Sequence, residues 1–368
     1  MIAVGGLTCL LGEMPKLFGQ TTFEPAVFQG LLQSDSDNDE SFGFITLALA
    51  RSGSFTVRFN LGVNKIGHHS YAKTGRFDAN GAFHFEGPEV TDTRYAIARI
   101  IDLQLDNGSA PTQIHGIITD LTHSSTVEME RVAGSNSSNP TPEAGYYTFL
   151  FSDSGATGIP PGYGYGSATI NRVGRISARG RAPDGMTFSR SASLTVNNRW
   201  PFFTTLGGKT RGILSGWLAF EESPATDFAG QLIWLGPEQP GPNQAFVPEF
   251  SGTVSVAGSR YAAPAGSVIE MNSSTNNLHL SMSGGGLETS MARDLTLTSA
   301  NKSIFSPRLE GDALSVNRTT GLFSGSFLES NNRTVIFRGA ILQKQNIGGG
   351  YFVNRNGEAG QVVLSPVE

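Results

Sequence analysis

The sequence predicts an all-β protein made of tandem antiparallel meanders, each closed into a small β-barrel; the alternative is a series of two-layer β-sandwiches. Three observations predict this fold class. Apolar and polar residues alternate with a period of two in short runs, so that in residues 186–196 the side chains of Phe188, Ala192 and Leu194 share one face. The 46 Gly and 18 Pro suit a chain with many tight turns. Only 15% of the 368 residues are charged, and no long run has the period of a helix.

Residues 18–132 form the first predicted β-barrel repeat. Its predicted strands are 23–32, 42–50, 54–61, 71–77, 82–85, 96–105, 112–119 and 125–131. Hairpin signals separate them, such as Arg51-Ser52-Gly53. Eight short strands are enough to close a barrel whose interior is filled by side chains and which leaves no edge exposed.

The same pattern returns further along the chain. The segment GFITLALARSGSFTVRF, with Gly43 and Gly53, superposes on GYGSATINRVGRISARG, with Gly164 and Gly174, at one offset of 121 residues. Self-similarity of this length indicates one supersecondary unit used twice. A polar linker, residues 133–142, has the composition of a flexible connection. We therefore predict a second β-barrel repeat over residues 143–248, with the Pro183-Asp184-Gly185 turn inside it.

A Pro-rich segment, residues 236–248, marks the end of the second repeat. A third β repeat is predicted over residues 249–368. Its last part repeats the order of glycine turn, strand and polar hairpin, with Gly321 in the place of Gly53 and Gly174. Alternatively, this region completes the second repeat, so the sequence is equally consistent with two domains and with three.

Residues 1–17 are interpreted as an N-terminal segment, a candidate remnant of a signal peptide. The run IAVGGLTCLL is apolar, but no basic region precedes it and no clear cleavage site follows it. Cys9 is the only cysteine, so no intrachain disulfide can form. No other apolar run approaches the ~20 residues of a membrane helix, so we predict no membrane-spanning segment.

Several motifs together are similar to a repeated β domain of large, poorly characterised bacterial secreted and cell-surface proteins. They are GYGYGSATI, PDGMTFSRSASL, RWPFF, GWLAF, GLFSGSF, VIFRGAILQKQ and GGGYFV, in this order. The resemblance extends over about residues 42–364. It implies a bacterial protein with an extracellular or cell-surface location and a repeated β architecture, and it implies no particular activity.

The charges argue against a nucleic-acid partner. The net charge is −5, and neither sign forms a long block that would neutralise phosphates. A local basic group, Arg172, Arg175, Arg179 and Arg181, lies on predicted strands near two tyrosines. We predict ligand binding, to acidic surface glycans, by Tyr163, Tyr165, Arg175 and Arg179. The alternative interpretation is a solvated strand face.

The acidic run Asp35, Asp37 and Asp39 has the alternate spacing with which a calcium loop begins. It then departs from the pattern, because Glu40 stands where such a loop has Gly and Thr46 where it has Glu. The three aspartates are the candidate calcium ligands, and the alternative is a hydrated hairpin tip. No other metal or cofactor is predicted.

The sequence predicts no enzyme, since it contains no G-x-S-x-G elbow and no spacing that singles out a pair of carboxylates. The three tryptophans, Trp200, Trp217 and Trp234, are expected in a core. We predict a noncatalytic structural or adhesive module of a bacterial exported or cell-surface protein. Its partners would be surface glycans or other surface proteins. Two alternatives are a carbohydrate-active or glycan-binding β protein, and a barrel that binds a small apolar ligand.

Overall fold

The computed structural model describes residues 22–34, 42–62, 70–87, 100–106, 110–119, 124–136, 138–153, 158–207, 212–236, 250–270, 275–329 and 332–367. These ranges contain β-strands and no helix. The strands form three eight-stranded antiparallel sheets in tandem, each curled into a nearly closed barrel. The prediction of an all-β fold built from tandem barrels is confirmed. No helix of the described ranges is long and apolar enough to cross a membrane.

The first barrel has the strand order β4-β3-β2-β1-β8-β7-β6-β5. Its strands are β1 Ala26–Ser34, β2 Gly43–Leu49, β3 Ser54–Leu61, β4 Ser70–Arg76, β5 Ala82–Glu86, β6 Ile100–Leu105, β7 Gln113–Thr119 and β8 Ser124–Arg131. Consecutive strands pair as hairpins, and β1 pairs with β8 to bring the two ends of the meander together.

The second barrel has the same topology, β12-β11-β10-β9-β16-β15-β14-β13. Its strands are β9 Gly145–Asp153, β10 Gly164–Ile170, β11 Arg175–Arg181, β12 Thr187–Ser193, β13 Arg199–Thr205, β14 Ile213–Phe220, β15 Phe228–Leu235 and β16 Ser251–Arg260. Strand β16 pairs with both β15 and β9. The second barrel therefore continues past residue 248, where the sequence placed its end, because its last strand follows the Pro-rich segment.

The third region forms a barrel of its own, with the order β19-β18-β17-β24-β23-β22-β21-β20. Its strands are β17 Leu278–Gly284, β18 Met291–Leu297, β19 Ser303–Phe305, β20 Ala313–Asn317, β21 Leu322–Leu328, β22 Thr334–Leu342, β23 Ile347–Val353 and β24 Ala359–Pro366. It does not complete the second barrel, which already has eight strands.

Each barrel has one seam at which neighbouring strands do not form a ladder. The seam lies between the fourth and fifth strands in the first two barrels and between the third and fourth strands in the third barrel. In the second barrel, Nε of Arg190 bridges the seam to the carbonyl of Phe203 at 3.0 Å. In the third barrel, Oγ of Ser303 donates to the carbonyl of Leu314 at 2.7 Å. Side chains thus replace part of the missing backbone pairing.

Glycine turns fix the second hairpin of the first two barrels. Gly53 and Gly174 have φ values of +83° and +78°, which other residues rarely adopt. Their carbonyls accept hydrogen bonds from the amides of Phe77 and Leu194, at 3.0 and 2.8 Å, and so tie each turn to the end of the fourth strand. Gly321 also has a positive φ, but its turn follows the fourth strand of the third barrel, so it is not at the equivalent place in the chain order.

Large side chains fill the interior of the second barrel. Its fully buried inward aromatic residues include Tyr147, Phe149, Phe151, Trp200, Phe202, Phe228 and Trp234. The rings of Trp200 and Phe202 lie 5.0 Å apart, and those of Trp234 and Phe250 4.9 Å apart. Trp217 alone among the tryptophans lies on the outer face, half-buried. The core prediction therefore holds for Trp200 and Trp234 only.

The first barrel packs against the second through its outer face. Leu31, Phe42 and Phe44 of the first barrel belong to the same buried apolar cluster as the second barrel. The fully buried carboxylate of Glu130 accepts one hydrogen bond from Arg199 at 2.7 Å and one from the hydroxyl of Thr195 at 2.5 Å. The guanidinium of Arg199 also lies 4.2 Å from the ring centroid of Trp217. The ion pair and the cation–π contact therefore add to the apolar packing between the first and second barrels.

The second barrel uses its opposite side against the third barrel. Leu150, Tyr165, Ala340, Leu342 and Tyr351 form a buried cluster between them. At its rim, Nζ of Lys344 lies 2.9 Å from a carboxylate oxygen of Asp227. The second barrel is thus covered on two sides, and only part of its outer surface reaches solvent.

Candidate functional site

The outer face of strands β10, β11 and β12 carries the basic group found in the sequence, and it is exposed mainly on β11 and β12. Ile176 and Ala178 of β11 are buried in the barrel core. Because side chains alternate along a strand, Arg175, Arg179 and Arg181 share the opposite, outer face. Arg175 and Arg179 are exposed, and Arg181 is half-buried.

Hydroxyl side chains flank these arginines on both neighbouring strands. Arg179 lies opposite Ser167 on β10 and opposite Ser189 on β12. Arg175 lies opposite Ser193. The remaining outward hydroxyls are Thr169 on β10, Ser177 on β11 and Thr187 and Ser191 on β12. We call this surface, with Arg175, Arg179, Arg181 and these hydroxyls, the arginine face.

The arginine face has no compensating acid. Strands β10, β11 and β12 contain no Asp or Glu. Within the described part of the chain, Arg175, Arg179 and Arg181 form no ion pair. The exposed guanidiniums of Arg175 and Arg179 are therefore available for a carboxylate or sulfate group, which a planar fork can bind with two parallel hydrogen bonds. Nη1 of the half-buried Arg181 donates to the carbonyl of Gly185 at 3.4 Å. The exposed hydroxyls beside them, those of Thr169, Ser177, Thr187, Ser189 and Ser191, can donate to, or accept from, the same ligand, whereas Ser167 is buried.

Arg172 extends the arginine face at one end. It lies in the β10–β11 turn, where the side chain of Asn171 accepts hydrogen bonds from the amides of Val173 and Arg175, at 3.1 and 2.9 Å. The carbonyl of Arg172 also accepts a hydrogen bond from the amide of Thr141 at 3.0 Å. This turn is held on both sides, so the backbone that carries Arg172 and Arg175 is fixed in place.

The two predicted tyrosines lie in a barrel contact. Tyr165 is only 8% exposed, because the third barrel covers this end of β10. Its ring lies 6.2 Å from that of Tyr351, and burial raises its pKa. Tyr163 is half-buried, and its amide donates to the carbonyl of Gly350 at 3.1 Å. Tyr163 and Tyr165 therefore do not form the open aromatic surface that the sequence predicted, whereas Arg175 and Arg179 do lie on one exposed face.

Sequence reasoning missed a buried acid beside the arginine face. Asp184, in the β11–β12 turn, is 2% exposed. Its Oδ1 accepts a hydrogen bond from the amide of Met186 at 2.9 Å, while its Oδ2 is buried with no hydrogen-bond partner. Burial raises the pKa of Asp184 to about 7. The sequence indicated a Pro-Asp-Gly turn, but not that the carboxylate of its aspartate would be buried.

The candidate metal ligands Asp35, Asp37 and Asp39 lie outside the described residues. Within the described ranges, no group of three or more His, Cys, Asp or Glu residues could hold a metal ion. His84 and His279 each pair with one aspartate, Asp102 at 2.6 Å and Asp294 at 2.8 Å. Both pairs are exposed cross-strand contacts on separate barrels.

No protein-family model and no curated protein matches this chain. Among solved structures, this chain is similar to the isotype 1 transferrin binding protein B from serogroup B Neisseria meningitidis, with 10% sequence identity and a TM-score of 0.23. The alignment covers 92% of this chain and 69% of that chain. It is also similar to the Myxococcus xanthus hemagglutinin in complex with α3,α6-mannopentaose, with 9% identity and a TM-score of 0.13, covering 93% of this chain and 89% of that chain. At these TM-scores, neither likeness carries an argument about function.

Proposed function

We propose that the protein is a noncatalytic adhesive module of a bacterial exported or cell-surface protein, and that its arginine face binds acidic glycans. One observation carries this proposal: Arg175 and Arg179 are exposed, share one rigid strand face and have no acid to neutralise them within the described residues. Flanking serines supply neutral hydrogen-bonding groups. An acidic polysaccharide offers both partners, because it carries carboxylate or sulfate groups together with ring hydroxyls.

The spacing of the arginines suits a linear polymer. Side chains two residues apart on a strand lie about 6.6 Å apart, and those four residues apart lie about 13 Å apart. Arg179 and Arg181 have the first spacing, and Arg175 and Arg179 the second. A polysaccharide with regularly spaced negative charges can thus contact several guanidiniums at once, so that the binding free energies of individually weak contacts add up.

The proposal of surface adhesion also rests on the resemblance of the motif series to bacterial secreted and cell-surface β domains. The alternative of a barrel that binds a small apolar ligand has less support, because buried aromatic rings occupy the interior of the second barrel. The alternative of a carbohydrate-active enzyme needs two facing carboxylates, and the arginine face contains none.

An array of carboxylated, sulfated and neutral glycans in ~0.15 M salt tests the proposal, since exposed charges are then screened beyond about 8 Å. We expect the protein to bind acidic glycans and R175A/R179A to lose at least about tenfold in affinity, because each lost arginine removes a charge-assisted contact. Separate carboxylated and sulfated series identify which group is preferred.

The matched control is R51A/R58A. Arg58 occupies on β3 the position that Arg179 occupies on β11, and Arg51 that of Arg172, at the offset of 121 residues. Both control residues are exposed, so this variant loses the same charge from another barrel. Equal binding by R175A/R179A and the parent protein, or no binding of any acidic glycan by the parent, would refute the proposal.

A further inference from the structure

Two tyrosine–arginine pairs meet where the second barrel contacts the third. On the second barrel, Tyr165 lies directly opposite Arg181 in the β10–β11 ladder. On the third barrel, Tyr351 lies directly opposite Arg338 in the β22–β23 ladder. The two tyrosine rings pack on each other at 6.2 Å with an interplanar angle of 31°. Each barrel therefore brings one arginine to the same contact.

Both guanidiniums act on both phenol groups. Burial raises the pKa of Tyr351 to about 12 and also raises that of Tyr165, while the positive charges of Arg181 and Arg338 oppose the rise at each hydroxyl. Each arginine is thus close enough to influence the tyrosine of the other barrel. Nη1 of Arg181 also donates to the carbonyl of Gly185 at 3.4 Å, which holds the side chain on its own barrel.

No anion balances this concentration of positive charge. Arg181 and Arg338 are half-buried, and neither forms an ion pair with a described residue. The acid near this contact is Asp184, whose charge contributes to the raised pKa of Tyr351. Its Oδ2 is buried and without a partner, and its pKa of about 7 leaves it mostly uncharged at pH 6. Two cations on either side of one pair of contacting tyrosines repel each other, and an oxyanion bound between them would offset that repulsion.

We propose that Arg181 and Arg338 together bind one oxyanion, a sulfate or carboxylate group, across the contact between the second and third barrels. The inference rests on the proposed function, because it makes this oxyanion site the end of the arginine face. Arg175, Arg179 and Arg181 lie along β11, and Arg338 continues the series onto the next barrel. The hydroxyls of Tyr165 and Tyr351 supply two neutral donors beside the two guanidiniums.

Inorganic sulfate tests the oxyanion site without any glycan. Thermal unfolding at pH 6 is followed by tryptophan fluorescence, which reports on the second barrel because all three tryptophans lie there. Sodium sulfate is compared with sodium chloride at equal ionic strength, and R58Q serves as the reference for the general stabilising effect of sulfate. We expect a sulfate-specific rise in Tm of about 3 °C in the parent protein and in R58Q at roughly tenfold excess over Kd.

The rise should disappear in R181Q and in R338Q, because one guanidinium alone does not form the site. It should persist in R175A/R179A, which separates this site from glycan binding by the rest of the face. If a glutamine variant does not fold, R181K or R338K keeps the charge but loses the planar fork, and the rise should shrink. An equal rise in parent, R338Q and R338K, or no sulfate-specific rise in the parent, would overturn the inference. Sodium glucuronate in place of sulfate then distinguishes a carboxylate site from a sulfate site.

Discussion

The third strands of the first two barrels, β3 and β11, correspond residue by residue, but they carry different residue types on the face that points to solvent. At the offset of 121 residues, the inward pairs are Phe55 and Ile176, Val57 and Ala178, and Phe59 and Gly180; the outward pairs are Ser54 and Arg175, Thr56 and Ser177, Arg58 and Arg179, and Asn60 and Arg181. Inward, the residues differ in size but none is polar. Outward, two neutral positions of the first barrel carry arginine in the second. The fold thus constrains the inner face and leaves the outer face free to acquire a binding function.

The outer surfaces differ in shape as well as in charge. On the first barrel, Ala48, Ser54, Thr56 and Thr74 border a shallow depression of about 510 Å³. On the second barrel the long side chain of Arg175 stands at the position of Ser54. At this equivalent position, the first barrel has a small neutral side chain and the second barrel has an exposed arginine.

The largest predicted effect is on the free energy of unfolding, and it comes from Asp184, the buried acid that follows β11. The pKa of Asp184 is about 7 in the folded protein, against a usual 3.8. The folded state therefore keeps a proton that the unfolded chain releases, so the stability of the parent should fall between about pH 4 and pH 7 and then level off. D184N retains the oxygen that accepts from Met186 and cannot ionise. At pH 8 its free energy of unfolding should exceed that of the parent by up to about 4 kcal/mol, with no advantage at pH 4.

Chemical denaturation at several pH values measures this difference. The matched control is D78N, because Asp78 makes the same kind of turn in the first barrel, accepting from the amides of Asn80 and Ala82 at 2.9 and 2.8 Å, and is exposed. D78N controls for the replacement of a turn aspartate by asparagine at an exposed position. A D184N curve parallel to the parent curve would mean that Asp184 is ionised in the folded state.

The second prediction exchanges an inward residue between the barrels. A Cβ atom on Gly180 would lie 2.2 Å from the carbonyl oxygen of Tyr165 and 2.5 Å from the ring of Phe188. G180F, which introduces the residue of the first barrel, should lower the free energy of unfolding by about 3 kcal/mol, because ring and backbone already occupy the space. Urea unfolding followed by tryptophan fluorescence measures the loss.

The control exchange is S177T, which also copies the first barrel but points outward. It should change the stability by less than about 0.5 kcal/mol. If G180F were as stable as S177T, the ring of Phe188 would have to move aside freely, and the inner faces of the two barrels would be interchangeable after all.

The smallest predicted effect is on glycan affinity, when the arginine pattern of the second barrel is introduced on the first barrel. S54R/N60R would give the first barrel the outward pattern of the second, with Arg51 and Arg58 already in place. In the R175A/R179A background, these two changes should restore acidic-glycan affinity by about fivefold, or about 1 kcal/mol, since exposed charges contribute modestly. S54Q/N60Q adds length without charge and should restore nothing. Restoration by both variants would show that charge is not what binds.

The strands and the inward faces could be predicted because alternation of apolar residues reports directly on burial in a barrel. Strand β10 shows the limit of that signal. Tyr165 and Thr169 both point outward, but Tyr165 is buried and Thr169 exposed. A period of two separates two faces of a sheet, whereas which part of the outer face meets another barrel depends on contacts with β22 and β23, far away in the sequence. The end of the second barrel was missed for a similar reason, since nothing local shows that β16 pairs with β9.

The connection between the first two barrels bears on how the chain would respond to tension. Residues 133–142 have the composition of a flexible linker, yet the amide of Ala133 donates to the carbonyl of Leu194 at 2.8 Å and that of Thr141 to the carbonyl of Arg172 at 3.0 Å. The connection thus lies along the second barrel. When the two ends of the chain are pulled apart, these two hydrogen bonds and the contact between the two barrels can open before either barrel unfolds. The nine residues from 133 to 141 could then extend to a span of at most about 27 Å, so the protein could lengthen under load while its arginine face keeps its shape.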